Sequence, residues 1–144
     1  MIILIKLFDN SKEMMQDVMY IDSKSFKDID CDIDTLCKRI KNNNQYELFV
    51  KYDNDVPVAY LGILYVANLH YDGAWIDLIA VSEDFRNRGI GTELVEFAEK
   101  RVKEKGKNII TGLIKKENIS SITMVKHRNF EYDTTGFFLF LKNL

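Results

Sequence analysis

Two glycines one residue apart, Gly89 and Gly91, stand between an apolar run, AWIDLIAV, and an amphipathic stretch beginning TELVEF. Two cations, Arg86 and Arg88, immediately precede them. The segment RNRGIG therefore joins a buried strand directly to a helix. A helix N-terminus presents unpaired backbone N–H groups and a partial positive charge. Together these attract a phosphate. A side chain at the turn would hold the phosphate away, and glycine removes that obstacle. Arginines beside the turn add charge-assisted donors. The junction reads as a site for an anion. Two common nucleotide motifs fail on spacing. A P-loop needs four residues between its glycines and then Lys-Ser or Lys-Thr, whereas one residue separates these and Thr92-Glu93 follows. A dinucleotide fingerprint needs Gly or Ala where this chain has Leu94.

The periodicity around the junction sets the fold class. Ile2 to Leu7 reads as a strand, Ser11 to about Ser23 as a helix capped by Ser11 or Asn10, and Asp32 to Lys41 as a second helix. YELFVKY and VAYLGILYVANL read as a hairpin turning at DND before Pro57. AWIDLIAV is apolar along nearly its whole length, which predicts cover on both faces. Leu94, Val95, Ala98 and Val102 recur at helical spacing, with glutamates early and lysines late, as the helix dipole favours, up to a stop at Gly106. NIITGLI is a further strand, NISSITMVKHRNF a helix opened by Asn118, and FEYD and FFLFLKN closing strands. The expected class is α/β of the α+β type. It has a mixed, mostly antiparallel central sheet of six to seven strands, about four helices on its two faces, and parallel strands near Val81 and Ile110. Residues 1–144 are expected to form a single domain.

Composition excludes several functions. A net charge of −2 gives no electrostatic case for nucleic acid. No apolar run is long enough to span a bilayer, and MIILIKLFDN has the wrong flanks for a signal peptide. Cys31 and Cys37 match no zinc or redox spacing, so they read as reduced thiols of a cytoplasmic protein. His70 and His127 stand far apart, and no metal site is expected.

The stretch AVSEDFRNRGIGTELV closely resembles the cofactor motif of the GNAT family of acyl-CoA-dependent N-acyltransferases: Arg or Gln, two residues, Gly, one residue, Gly or Ala. Arg86, Gly89 and Gly91 match it, and Arg88 and Thr92 are common companions. Asn118 and Ser121 resemble the family's Asn at the head of the next helix, and MVKHRNF resembles its usual ending there. The resemblance implies a splayed pair of parallel strands with the pantetheine arm of acetyl-CoA between them. The arm would bond the backbone at Ile79, Ala80 and Val81, and the diphosphate would rest on amides from Arg88 through Gly89, Ile90 and Gly91 to Thr92. Asn118 is equally a plain helix cap, and the two roles are compatible.

The implied reaction is attack of a primary amine on the acetyl thioester in a ternary complex. A lysine-like amine, of pKa about 10.4, is mostly protonated at neutral pH and needs a base. Asp77, the only charge in AWIDLIAV, is the candidate, since burial would raise its pKa. The alternative is that it sits on a wet face or only holds a backbone group. The family's acid tyrosine position is here Val125, so either no acid is needed or His127 or Tyr132 substitutes. Asn129 stands where the family has glycine, and Asn tolerates the same helix ending. Asp28, Asp30, Asp32 and Asp34 would favour a cationic small-molecule or peptide amine if they line the acceptor wall, and are otherwise a solvated, capping loop. Phe26, Tyr60, Tyr65 and Trp75 either line a pocket or pack the hairpin. The apolar FFLFL either pairs across a homodimer or fills the core. Two other functions fit the same junction: a non-catalytic acyl-CoA-binding sensor or partner-binding module, and a nucleotide-binding regulator.

Overall fold

A two-residue turn organises the sheet. Asn54 and Asp55 both take left-handed backbone (φ 48 and 66), the pattern of a type I′ hairpin. It folds β2 (Tyr46–Asp53) against β3 (Val56–Ala67), with Asp53 opposite Val56. β1 (Leu4–Leu7) pairs antiparallel with β2, and β4 (Asp72–Val81) antiparallel with β3. β5 (Ile110–Gly112) runs parallel to β4, giving a mixed sheet in the order β1-β2-β3-β4-β5.

The computed structural model describes residues 4–27, 29–133, 136 and 139–144. The chain divides into two units, Met1–Leu113 and Ile114–Leu144. In the first, α1 (Lys12–Ser23) and α2 (Ile33–Lys41) cover one face of the sheet and α3 (Ile90–Glu104) the other. Met14, Met15, Val18 and Ile21 of α1 pack on Leu48, Val50 and Tyr60. Leu94, Ala98 and Val102 of α3 pack on Phe49, Leu61, Ile63 and Ala74, as the helical spacing of those residues requires. Each fully buried large aliphatic side chain in these layers contributes roughly 1.5–3 kcal/mol. The second unit holds α4 (Ile119–His127), capped by Asn118.

The fold class is as the sequence indicates, with corrections in detail. The sheet has five strands among the described residues, not six or seven. Residues 130–133 form no strand, nor do 139–144, where Leu139, Phe140 and Leu141 are exposed. Phe137 and Phe138, the start of the expected last strand, lie outside the described residues, as do Ile2, Ile3 and Asp28. β-propensity alone makes no strand without a ladder to join. The parallel pairing lies at Ala74–Ile76, at the start of β4, and not at Val81. β4 is not covered along its whole length, because Asp77 and Leu78 are exposed.

Candidate functional site

β4 runs five residues past its last partner in β5, the Ile76–Gly112 pair. On that edge the backbone of residues 77–81 has no strand beside it among the described residues. Ile79 and Val81 are half-buried against α3, and Ala80 is buried on the opposite face. The chain then makes a short 3-10 turn, Glu83–Phe85, and reaches the glycines.

Two left-handed residues shape the loop: Asn87 (φ 62) and Gly89 (φ 78). Asn and Gly are the residue types that accept this backbone at least cost. Gly89 is the N-cap of α3, and no side chain bonds the amides of its first turn. Nothing lies within 4 Å of the point that a Cβ on Gly89 would occupy. The amides of Ile90, Gly91 and Thr92 thus belong to a first turn of helix without a side-chain cap, at the positive end of a 15-residue dipole. Arg88 lies over the Phe85 ring at 5.0 Å. Arg86 braces the loop: its Nε donates to the Val81 carbonyl (3.0 Å) and its Nη2 to Ser25 Oγ (3.3 Å). The first of these bonds satisfies a carbonyl at the end of β4.

Glu93, in the first turn of α3, would oppose an anion at these amides. Lys51 removes the conflict. It is buried (1% exposed) and its Nζ binds Glu93 Oε1 at 2.6 Å. At the other end of α3, Arg101 forks onto Glu47 (3.1 and 2.5 Å), and Tyr65 donates to the same carboxylate. Burial alone would push the Glu47 carboxyl up, but the bonds from Arg101 and Tyr65 outweigh it and hold it below the usual range. Ion pairs at both ends thus fix α3 on the sheet.

Asp77 sits at a β-bulge. Gly62 pairs with Leu78 but Ile63 pairs with Ile76, so Asp77 has no opposite residue. The strand alternation breaks there: Ile76 and Ile79, three apart, both pack towards α3. Asp77 is exposed, not buried as expected for the base. Its partner is a side chain from two strands away. Tyr46 donates its hydroxyl to Asp77 Oδ2 at 3.0 Å. The Tyr46 phenol is pushed above its ordinary range, first by burial and then by the Asp77 charge. It stays protonated and serves as the donor to Asp77. Tyr60, the core residue nearest in type, donates to the buried Asp22 and is likewise pushed up by burial first.

The remaining sequence candidates fall as follows. In the second unit Asn118 Oδ1 accepts the Ser121 amide (3.1 Å), the helix cap. Val125 lies in α4 and His127 ends it, exposed. Tyr132 is exposed, with Lys126 Nζ 4.5 Å over its ring. In the first unit Asp32 caps α2 and Asp34 pairs with Lys12 at 2.7 Å, so two of the aspartates are already engaged. Tyr65 is tied to Glu47, and Trp75 Nε1 donates to Tyr71 (2.6 Å). A hollow lined by Lys12, Lys38 and Lys41 lies on the α1–α2 side and touches neither the glycine loop nor Asp77. Tyr46, Gly62 and Lys51 were missed by the sequence reading. An isolated glycine inside an apolar strand is the one signal that marks a close approach at Gly62. Among the described residues no cluster of His, Cys, Asp and Glu could hold a metal, and no helix is long and apolar enough to cross a membrane.

Comparison with known proteins bears on the whole chain. No curated protein sequence matches it. An aminoglycoside acetyltransferase from an uncultured soil metagenomic sample superposes with a TM-score of 0.81 at 16% identity, covering 97% of both chains. A GNAT family acetyltransferase from Staphylococcus aureus gives 0.76 at 20%, covering 98% of this chain and 100% of its own. A transcriptional regulator from Bacillus halodurans gives 0.78 at 22%, covering 97% and 100%. At such identities the likeness is one of fold. The family model described as Acetyltransferase (GNAT) family matches residues 13–130, well over half of the sequence, and the chain belongs to that family.

Proposed function

We propose that this chain is an acetyl-CoA-dependent N-acetyltransferase, a single domain that acetylates a primary amine of a small molecule or peptide. The observation that carries the reading is the uncapped first turn of α3, opened by left-handed Gly89 directly after the unpaired end of β4. The open space at Gly89 suits a diphosphate, and family membership supports acetyl-CoA as its bearer.

When bound, acetyl-CoA supplies the acetyl group as a thioester. The amides of Ile90, Gly91 and Thr92 hold the diphosphate, with Arg88 as the cation beside them. The free edge at Ile79 and Ala80 offers backbone groups to the pantetheine arm, while the Val81 carbonyl is held by Arg86. Asp77 takes the proton that the incoming ammonium must lose before its lone pair is available. Attack is direct. Cys37, whose thiol meets the Ser11 carbonyl at 3.8 Å, is pushed up by burial first and then by the Asp34 charge, which lowers its thiolate fraction. A thiol of pKa about 8.5 leaves tolerably without an acid, so Val125 is no obstacle. The unpaired cysteines suit a cytoplasmic setting.

A second reading rests on Val125: an acyl-CoA-binding sensor without turnover. Free-thiol release from acetyl-CoA against a panel of primary amines tests both. The expected result is turnover with at least one amine, reduced about 100-fold by Asp77→Asn. An unchanged rate in that variant removes Asp77 as the base. A CoA-induced rise in thermal stability with no thiol release from any amine favours the sensor.

A further inference from the structure

Tyr46 and Asp77 are 31 positions apart and lie on non-adjacent strands, yet their side chains meet. β3 runs between them, and at the crossing point stands Gly62. A Cβ there would lie 2.0 Å from the Tyr46 hydroxyl and 2.8 Å from its Cζ. Any other residue would push the phenol out of its lane. The bulge at Asp77 completes the arrangement, because the extra residue turns the carboxylate out of the strand alternation and onto the face where Tyr46 lies.

We propose that Tyr46 is a positioning residue for this site: its hydroxyl holds Oδ2 of Asp77 across the gap left by Gly62, so that Oδ1 faces the incoming amine. The assignment rests on Asp77 being the base. An exposed carboxylate on a bulge would otherwise sample several rotamers, each presenting a different oxygen. One donor on Oδ2 removes that freedom. Oδ1 carries no hydrogen bond among the described residues, so its lone pairs stay available for a proton. Tyr46 exerts this hold at every pH where the phenol is neutral, a range widened by its burial and by Asp77 itself. Gly62 acts through Tyr46, so the two residues form one device.

Four measurements test it in the full chain, with the best amine of the panel. Tyr46→Phe is expected to lower kcat about 10-fold, with KM for acetyl-CoA and the CoA-induced thermal shift unchanged. Gly62→Ala, which moves the far end of a flexible ring, is expected to give the same loss. The double variant is expected to lose no more than either single one, because both break the same contact. Ultraviolet Raman of the neutral phenols, which needs no acceptor, reads the contact directly: Tyr46→Phe should delete the band of one donating hydroxyl, and Asp77→Ala should shift that band to the position of a phenol without a carboxylate partner. A Tyr46→Phe rate within twofold of the parent, beside an inactive Asp77→Asn, overturns the positioning role and leaves the acetyltransferase reading intact. A parental rate in Asp77→Asn overturns the base assignment and this proposal with it. A Tyr46 band unmoved by Asp77→Ala shows that the two groups do not touch and overturns the proposal alone.

Discussion

At the start of α2, Asp32 accepts the Thr35 amide through Oδ1 (3.0 Å) and the Thr35 hydroxyl through Oδ2 (2.7 Å). At the start of α3, Gly89 offers no side chain, and the first-turn amides carry no side-chain cap. Ser11 and Asn118 cap α1 and α4 as Asp32 caps α2. Among the described residues, the longest α-helix is therefore the one left without a cap. A glycine in place of a capping side chain sacrifices only about a few tenths of a kcal/mol of stability. The compensation lies in the same turn, where buried Lys51 clamps Glu93 to the sheet. The contrast teaches that a helix end can be fixed through its side chains while its backbone donors stay free for something else.

The clamp gives the largest expected effect. Glu93→Ala should leave a buried ammonium without its partner and cost about 3 kcal/mol, seen as a lower urea midpoint. Lys51→Met, which removes the buried charge instead, should be close to neutral in stability while freeing a negative charge beside the cradle. Equal losses in the two variants would mean that the pair does not anchor α3. Next comes the cradle itself. Gly89→Asp puts a carboxylate beside the first-turn amides, on left-handed backbone that strains any residue but glycine, and repels a diphosphate. CoA should bind about 30-fold more weakly by calorimetry, equivalent to about 2 kcal/mol. Undiminished affinity would place the ligand elsewhere. The smallest effect is at the control helix. Asp32→Ala should cost about 1 kcal/mol of stability and leave CoA affinity untouched. A change in CoA binding there would break the distinction between the two ends.

The glycine loop was legible because its chemistry is local. Asn87, Gly89 and the start of α3 are contiguous, and left-handed backbone has few residue types to choose from. The hairpin was legible for the same reason, since DND supplies both left-handed positions of the turn. The role of Arg86 was not. Its spacing matches an anion-binding motif, but its guanidinium meets a strand-end carbonyl and Ser25, 61 positions away. The exposure of Asp77 was also hidden, because an apolar run shows neither where a neighbouring strand stops nor where a bulge interrupts alternation.

From its residues alone this chain declares an α+β sheet, a strand-to-helix glycine junction, and the family to which that junction belongs. These depend on hydrophobic period and on the backbone freedom of one or two residues, and both act over a few positions. Tertiary structure alone decided that Lys51 meets Glu93, that β5 leaves β4 at Ile76, and that Tyr46 reaches Asp77 over Gly62. Each of these is a contact between strands or layers far apart in sequence. Such contacts follow from register and sheet order, and no local pattern encodes which side chains the register will bring face to face.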